Sequence, residues 1–225
     1  MSKDDVARAA LFATIDPAAV TELISTMTVT HVARGSVIFR QGDTGDRLYV
    51  ISAGKVKLGQ HSSDGRENLL AVLGPGEVVG ELSLFDPGPR SATATAVVDS
   101  ELYELGHQLF VRWLAVNPEA APGIIADLAR RLRQTDEALA DLVFTDVPGR
   151  VAKALLDMAD RFGTPTDAGL RVEHDLTQEE LAHLVGASRE TVNKALADFT
   201  TRGWIRRDGR ALVLRNVDRL RRRAR

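Results

Sequence analysis

The chain has 225 residues, of which 44% are hydrophobic and 27% charged, with a formal net charge of −2; this suits a soluble globular protein of about two modest domains. It holds no cysteine, which excludes disulfides, iron–sulfur clusters and thiolate metal sites. No apolar run is long enough to cross a membrane, and the opening Met1 to Asp5 lacks the basic and apolar regions of a secretory signal, so the expected compartment is the cytoplasm. The charge is divided: residues 1–148 carry 13 Lys+Arg against 20 Asp+Glu, and residues 149–225 carry 16 against 11, balances of −7 and +5. A basic half on an acidic one suits a protein that puts one face on DNA, although an arginine-rich tail such as Arg221–Arg225 could simply fray.

Residues 1–30 read as small helices, with Asp16-Pro17 opening one as N-cap and first helical residue. From His31 to about Leu105 the pattern becomes short alternating segments: Ser36–Arg40, Arg47–Ser52, Lys55–Gln60, Asn68–Leu73, Thr93–Val98 and Glu101–Leu105. Glycines 35, 42, 45, 54, 65, 74 and 76 separate them. Strands this short and regularly punctuated predict an antiparallel barrel or jelly roll.

Within that region, Gly80 to Ser91 concentrates chemistry. A glycine at a strand end leads into one helical turn containing Leu82 and Ser83, whose free N–H groups can hold an anion. Arg90 offers a fork of donors suited to a phosphate, Ser91 adds a hydroxyl, and Glu81 can accept from a sugar hydroxyl. Together they suggest a nucleotide, although an arginine and a glutamate this close in sequence often just pair with each other. Gly74, Gly76 and Gly80 miss the dinucleotide fingerprint, and P-loop, H-E-x-x-H and nucleophile-elbow motifs are lacking. The five histidines (31, 61, 107, 174 and 183) have no metal-ligand spacing. No metal site or catalytic residue is therefore expected.

Asn117-Pro118 is expected to open a long helix in which Ile125, Leu128, Leu132, Thr135, Leu139 and Leu142 recur at intervals of 3, 4, 3, 4 and 3. That is the a/d seam of a coiled-coil dimer; an apolar stripe would also suit a helix lying on its own barrel. Thr135 is the one polar seam residue. Pro148 argues against simple continuation, so Asp146–Gly149 reads as a hinge joining the two domains. A helix from about Arg150 to Phe162 and a loop through residues 163–166 should follow.

The run from Thr177 to Ala197 reads as two helices around a tight turn. Thr177 and Glu180 form a capping box, Gly186 suits the positive φ of the turn, and Ser188 caps the second helix. Val192, Ala195 and Leu196 should face inward, leaving Arg189, Glu190, Asn193 and Lys194 outward as a reading head. An ordinary helical hairpin with a solvated charged face is the bland alternative. Asp208-Gly209 then predicts a two-residue hairpin turn, making a wing lined by Arg206, Arg207 and Arg210.

Gly80–Ser91, Asp146–Arg150 and Leu176–Trp204 resemble the cAMP receptor protein/FNR superfamily, and closely its actinobacterial cAMP-receptor branch, over nearly the whole chain. The resemblance implies an α+β chain: a cyclic-nucleotide-binding β jelly roll (1–116), a dimerisation helix (117–145) and a C-terminal winged helix-turn-helix (146–225). It implies cAMP as allosteric ligand, with Glu81 on the ribose 2′-hydroxyl and Arg90 and Ser91 on the cyclic phosphate. Gly80 gives the close backbone approach, Leu82 and Ser83 lie beside it, Arg131 reaches Glu81 or the ligand, and Thr135 touches adenine. Asp136 stands where serine or asparagine from the partner subunit is commoner, which bears on ligand affinity and identity. On the DNA side Arg189, Glu190 and Lys194 match the base-reading positions, accompanied by Thr177, Gln178, Ser188, Thr191 and Asn193. Arginine suits guanine O6/N7 and glutamate the cytosine amino group, so an inverted GTG/CAC-type repeat is implied. Gln178 replaces a common basic phosphate contact, and Lys194 replaces a common arginine. The implied function is a cAMP-responsive homodimeric transcription regulator, with RNA polymerase as a further partner. A regulator of the same fold that binds DNA without cAMP, or answers to another ligand, is the second reading; a nucleotide-hydrolysing enzyme is the third.

Overall fold

The computed structural model describes residues 6, 9, 12, 15–62 and 67–224. It divides into two compact units, Met1–Arg133 and Gln134–Arg225. Gly65 and much of the helical region expected before residue 15 lie outside the described residues.

In the first unit, α1 (Pro17–Thr26) begins as its sequence dictates: Asp16 accepts from the Ala19 N–H at 3.2 Å and Pro17 takes the first turn. Ten strands follow: β1 (Thr28–Val32), β2 (Val37–Phe39), β3 (Thr44–Gly45), β4 (Arg47–Ala53), β5 (Val56–His61), β6 (Glu67–Leu73), β7 (Val78–Val79), β8 (Gly88–Pro89), β9 (Thr93–Ala96) and β10 (Ser100–Gly106). A single turn, α2 (Leu82–Phe85), lies between β7 and β8. Two four-stranded antiparallel sheets form, in the orders β1-β10-β4-β7 and β2-β9-β5-β6, with β3 and β8 as a separate pair. Tyr49, Ile51, Val79 and Leu102 from one sheet meet Phe39, Val56 and Ala94 from the other in one apolar cluster. This is the inner layer of a jelly roll.

The alternate residues of β4, Leu48 and Val50, join a second cluster with Val20, Leu23, Ile24 and Trp113. Covered on both faces, β4 is buried nearly throughout, which explains why it lacks a clean in–out alternation. The helix α3 (His107–Val116) supplies Phe110 and Trp113 to this cluster, and the Trp113 indole donates to the Ala19 carbonyl at 3.0 Å. Its start at Gly106 has no side-chain cap, so the sequence carried no start signal for it.

Three expectations need correction here. Thr28–Val32 is a strand pairing with β10 rather than part of a helical region; its β-branched alternation outweighs the helical signals that end at Thr26. The two-residue strands β3, β7 and β8 are too short to show any period. The long helix α4 runs Ala121–Phe144, after a separate 3-10 turn at Pro118–Ala120.

In the second unit, α5 (Val147–Phe162) is capped by Asp146, which accepts from the Gly149 N–H at 2.9 Å, and Pro148 sits in its first turn. Pro148 therefore opens a helix as well as closing the previous one. Residues 163–166, expected as a loop, form strand β11 (Gly163–Thr166), paired with β12 (Gly169–Val172). Pro165 is accommodated because β11 is an edge strand. After α6 (Gln178–Leu184) and α7 (Arg189–Thr201) come β13 (Ile205–Asp208), β14 (Ala211–Leu214) and α8 (Val217–Arg223). The sheet order is β11-β12-β14-β13, with α7 packed against β13 and α5 against β12. The wing turn is shifted by one residue from expectation: Asp208 pairs with Ala211, so Gly209-Arg210 is the two-residue loop. Gly209 has φ +60, the positive first central position of a II′-type turn.

Candidate functional site

Gly80 has φ +81, a conformation open to glycine at little cost, and it turns the chain from β7 into α2. A Cβ there would lie 2.5 Å from Arg90 Nη1 and 3.2 Å from the Phe39 ring. A Cβ on Gly45 would collide with the Ser83 side chain and come within 2.9 Å of Arg90 Nε. Two glycines and a buried serine thus form a close-walled cradle around one guanidinium.

Arg90 is only 5% exposed. Its Nη1 donates to the Gly80 carbonyl at 2.8 Å, and its guanidinium carbon lies 4.2 Å above the Phe39 ring. Its Nε is buried without a hydrogen-bond partner. Burial pulls the Arg90 pKa below its ordinary value, opposed by the fields of Tyr49, Asp46 and Glu81. A buried cation with an unused donor calls for an anion. Glu81 does not pair with Arg90: its carboxylate lies 3.2 Å from Arg131 Nη1, and its side chain is mostly buried. The two oppositely charged groups of this motif therefore remain separate, each with a distinct neighbour. Leu82 and Ser91 are exposed, and Ser83 is buried. The chemistry of these groups suits a cyclic nucleotide: Arg90 is a buried cation with an unused donor, and Glu81 a mostly buried acceptor.

Phe39, Tyr49 and Gly45 come to this site from β2, β4 and β3, far away in sequence and with no motif to mark them. Thr135 and Asp136 lie on α4 in the second unit, both exposed. Along the same helix Leu132, Leu139 and Leu142 are more than half exposed, and Phe144 is 85% exposed. Leu128 instead packs against the core of the first unit.

The helix-turn-helix begins with the capping box its sequence predicts: the Glu180 N–H donates to Thr177 Oγ1 at 3.1 Å and the Thr177 N–H to Glu180 Oε2 at 2.7 Å. Gly186 has φ +61 in the turn. Ser188 accepts from the Thr191 N–H at 3.2 Å, and the two hydroxyls lie 2.9 Å apart. Val192, Ala195, Leu196 and Phe199 are buried, which leaves Arg189, Glu190 and Lys194 exposed and Asn193 half-buried beside them. Lys194 Nζ lies 2.8 Å from Glu190 Oε1. Such an exposed i,i+4 pair is worth only about 0.3–0.5 kcal/mol, less than the roughly 1–3 kcal/mol of a good base contact, so the pair is free to open. The Gln178 amide oxygen is buried without a partner. On the wing, Arg206, Arg207 and Arg210 are exposed, while Arg171 holds Asp208 at 3.0 Å.

Residues 29–117 match the cyclic nucleotide-binding domain, and residues 149–223 match the Crp-like helix-turn-helix domain. A "CRP-like cAMP-activated global transcriptional regulator" of Mycobacterium tuberculosis is 52% identical over 220 residues, 98% of each chain. The chain belongs to the CRP-like family of transcription regulators. Among solved structures of this family, the catabolite activator protein of Thermus thermophilus is 37% identical, covers 96% of this chain and 98% of its own, and has a TM-score of 0.55. The c-di-GMP-responsive global regulator CLP of Xanthomonas campestris is 28% identical, covers 88% and 99%, and has a TM-score of 0.75. As a CRP-like regulator the chain is not an enzyme. Among the described residues no helix is long and apolar enough to cross a membrane, and no group of three or more His, Asp or Glu is placed to hold a metal.

Proposed function

We propose that the protein is a cytoplasmic, homodimeric transcription regulator whose affinity for double-stranded DNA is set by cAMP. The observation that carries the ligand is Arg90: a buried guanidinium, walled by glycines, with one donor unused. In this reading Arg90 and Ser91 hold the cyclic phosphate, Gly80, Leu82 and Ser83 supply the close backbone and hydroxyl, and Glu81 takes the ribose hydroxyl. Glu81 is oriented by Arg131, while Thr135 and Asp136 meet the base. The M. tuberculosis relative, cAMP-activated by name, supports this choice of ligand.

The exposed seam of α4 supports the dimer. Four or more large apolar side chains standing in water on one helix call for a partner, and a second copy of the same seam supplies one. In the proposed division, residues 1–116 bind nucleotide, 117–145 dimerise and 146–225 read DNA. Arg189, Glu190 and Lys194 would read bases of an inverted GTG/CAC-type repeat, with Asn193 beside them and Thr177, Gln178, Ser188 and Thr191 at the helix starts nearest the phosphates. RNA polymerase would be the downstream partner. Calorimetry on the full chain, with sedimentation to weigh it, tests the ligand and the dimer together: one cAMP per chain on a dimer is the expected result, and a monomer or a lack of cAMP binding refutes it.

Asp136 favours a second reading, in which another ligand, or none, controls the same DNA reader. A carboxylate beside the base changes which exocyclic groups can be recognised there, since it accepts hydrogen bonds and cannot donate when ionised, and the structural relative CLP is c-di-GMP responsive by name. Competition of cAMP with c-di-GMP in the same calorimeter separates the two.

A further inference from the structure

We infer that Arg150 is a positioning residue that fixes the angle between the reading head and the end of helix α4. This rests on the reading of α6 and α7 as a DNA reader. Arg150 lies in the first turn of α5, outside both candidate sites, and its whole fork is spent on backbone carbonyls. Nη1 donates to the Thr145 carbonyl at 2.7 Å, Nε to Val185 at 2.8 Å and Nη2 to Gly186 at 3.2 Å.

These carbonyls belong to two different helix ends. Thr145 closes the last turn of α4, its N–H donating to Asp141 at 3.0 Å, and Val185 and Gly186 close α6. Terminal carbonyls have no helical N–H to satisfy them and carry the negative end of the helix dipole. One planar cation therefore caps two helices at once, with a rigid geometry that a lysine does not reproduce. Two further contacts close the same joint. Lys153 pairs with Asp141, and a Cβ on Gly186 would lie 3.1 Å from Leu142 Cδ2. The end of α4, the start of α5 and the turn of the reader thus meet around Arg150. Turning the reader relative to α4 breaks at least one of the three hydrogen bonds.

In a two-fold dimer joined along α4, that angle sets the distance between the two copies of α7, and hence the half-site spacing they accept. Each base pair added to the spacer rotates one half-site by roughly 35° and moves it about 3.4 Å. The test uses the full-length protein with its ligand and a series of inverted repeats whose spacers differ by single base pairs. The parent should prefer one spacer sharply. Arg150→Met should flatten that preference by about fivefold or more, the lower end of ordinary coupling, with ligand affinity and dimer unchanged. Arg150→Lys, which keeps the charge without the fork, should retain only part of the preference. A loss of affinity equal across all spacers, or an unchanged profile, overturns the inference. If Arg150→Met does not fold, the Arg150→Lys profile decides alone, and a parent-like profile there overturns it. A parent protein without sequence-specific binding would refute the DNA-reading function, and this inference with it; that failure is told apart because it shows in the parent.

Discussion

Replacing Arg90 by methionine separates ligand binding from stability. In the free protein the Arg90 side chain makes one hydrogen bond and one contact with the Phe39 ring face, and leaves Nε unpartnered. Arg90 has no carboxylate partner among the described residues, so an apolar side chain of similar length relieves the cost of burying a cation and offsets the lost hydrogen bond and ring contact. The free protein should therefore melt within a few degrees of the parent. Binding is different, because the guanidinium is already out of water before an anion arrives. Losing one partner of a buried charge pair costs about 2–5 kcal/mol, roughly 30-fold to several thousand-fold in affinity at 25 °C. Titration calorimetry gives that number, and the ligand-dependent rise in melting temperature should vanish with it. Parent-like cAMP affinity in Arg90→Met would refute the site. A free protein destabilised as much as the ligand is weakened would show that Arg90 is a structural group.

Gly80→Ala places a Cβ against Arg90 and Phe39 at φ +81; it should cost about 1–2 kcal/mol in backbone strain alone, lower the melting temperature and weaken cAMP binding, as thermal melts with and without ligand will show. Glu190→Gln releases Lys194 and replaces an acceptor-only carboxylate, so discrimination at one base pair of each half-site should relax by about 1–3 kcal/mol, while an exposed helix residue leaves stability nearly unchanged; binding to single-base operator variants checks this. Asp146 has its pKa lowered, first by the hydrogen bond from Arg223 and then, against the opposing effect of burial, by the Gly149 N–H. A depressed carboxyl pKa stabilises above the unfolded value, about 3.9, and loses that contribution as pH falls through the folded one. Acid unfolding of the parent should thus steepen below about pH 4, and Asp146→Asn should remove that part of the slope.

The reader was legible because its signals are local. Thr177, Glu180, Gly186 and Ser188 each act within four residues of themselves, and each occupies the place its chemistry dictates. The six predicted strands of the roll were also visible, within one or two residues at most ends, because glycines punctuate them. Elements that lack a cap or a period were lost: α3 begins without a cap, and β3, β7 and β8 have two residues each. The wing turn slipped by one position because Asp-Gly fits a I′ turn as the central pair and a II′ turn with glycine first equally well by sequence. At the ligand site Arg90 and Glu81 stood out by type, whereas Gly45, Phe39 and Tyr49 reach the site only through sheet topology. Arg150 fell inside a stretch that resembles the family, but its contacts were not legible, since a fork aimed at three backbone carbonyls depends on where three helix ends meet.

Fluorescence anisotropy on an inverted GTG/CAC repeat, titrated with protein in the presence and absence of cAMP, tests the link between the two sites most directly. Binding should tighten with cAMP by about 5–150-fold, the usual range for coupled sites. Equal affinity with and without the nucleotide would contradict the cAMP switch and leave only the DNA reader standing.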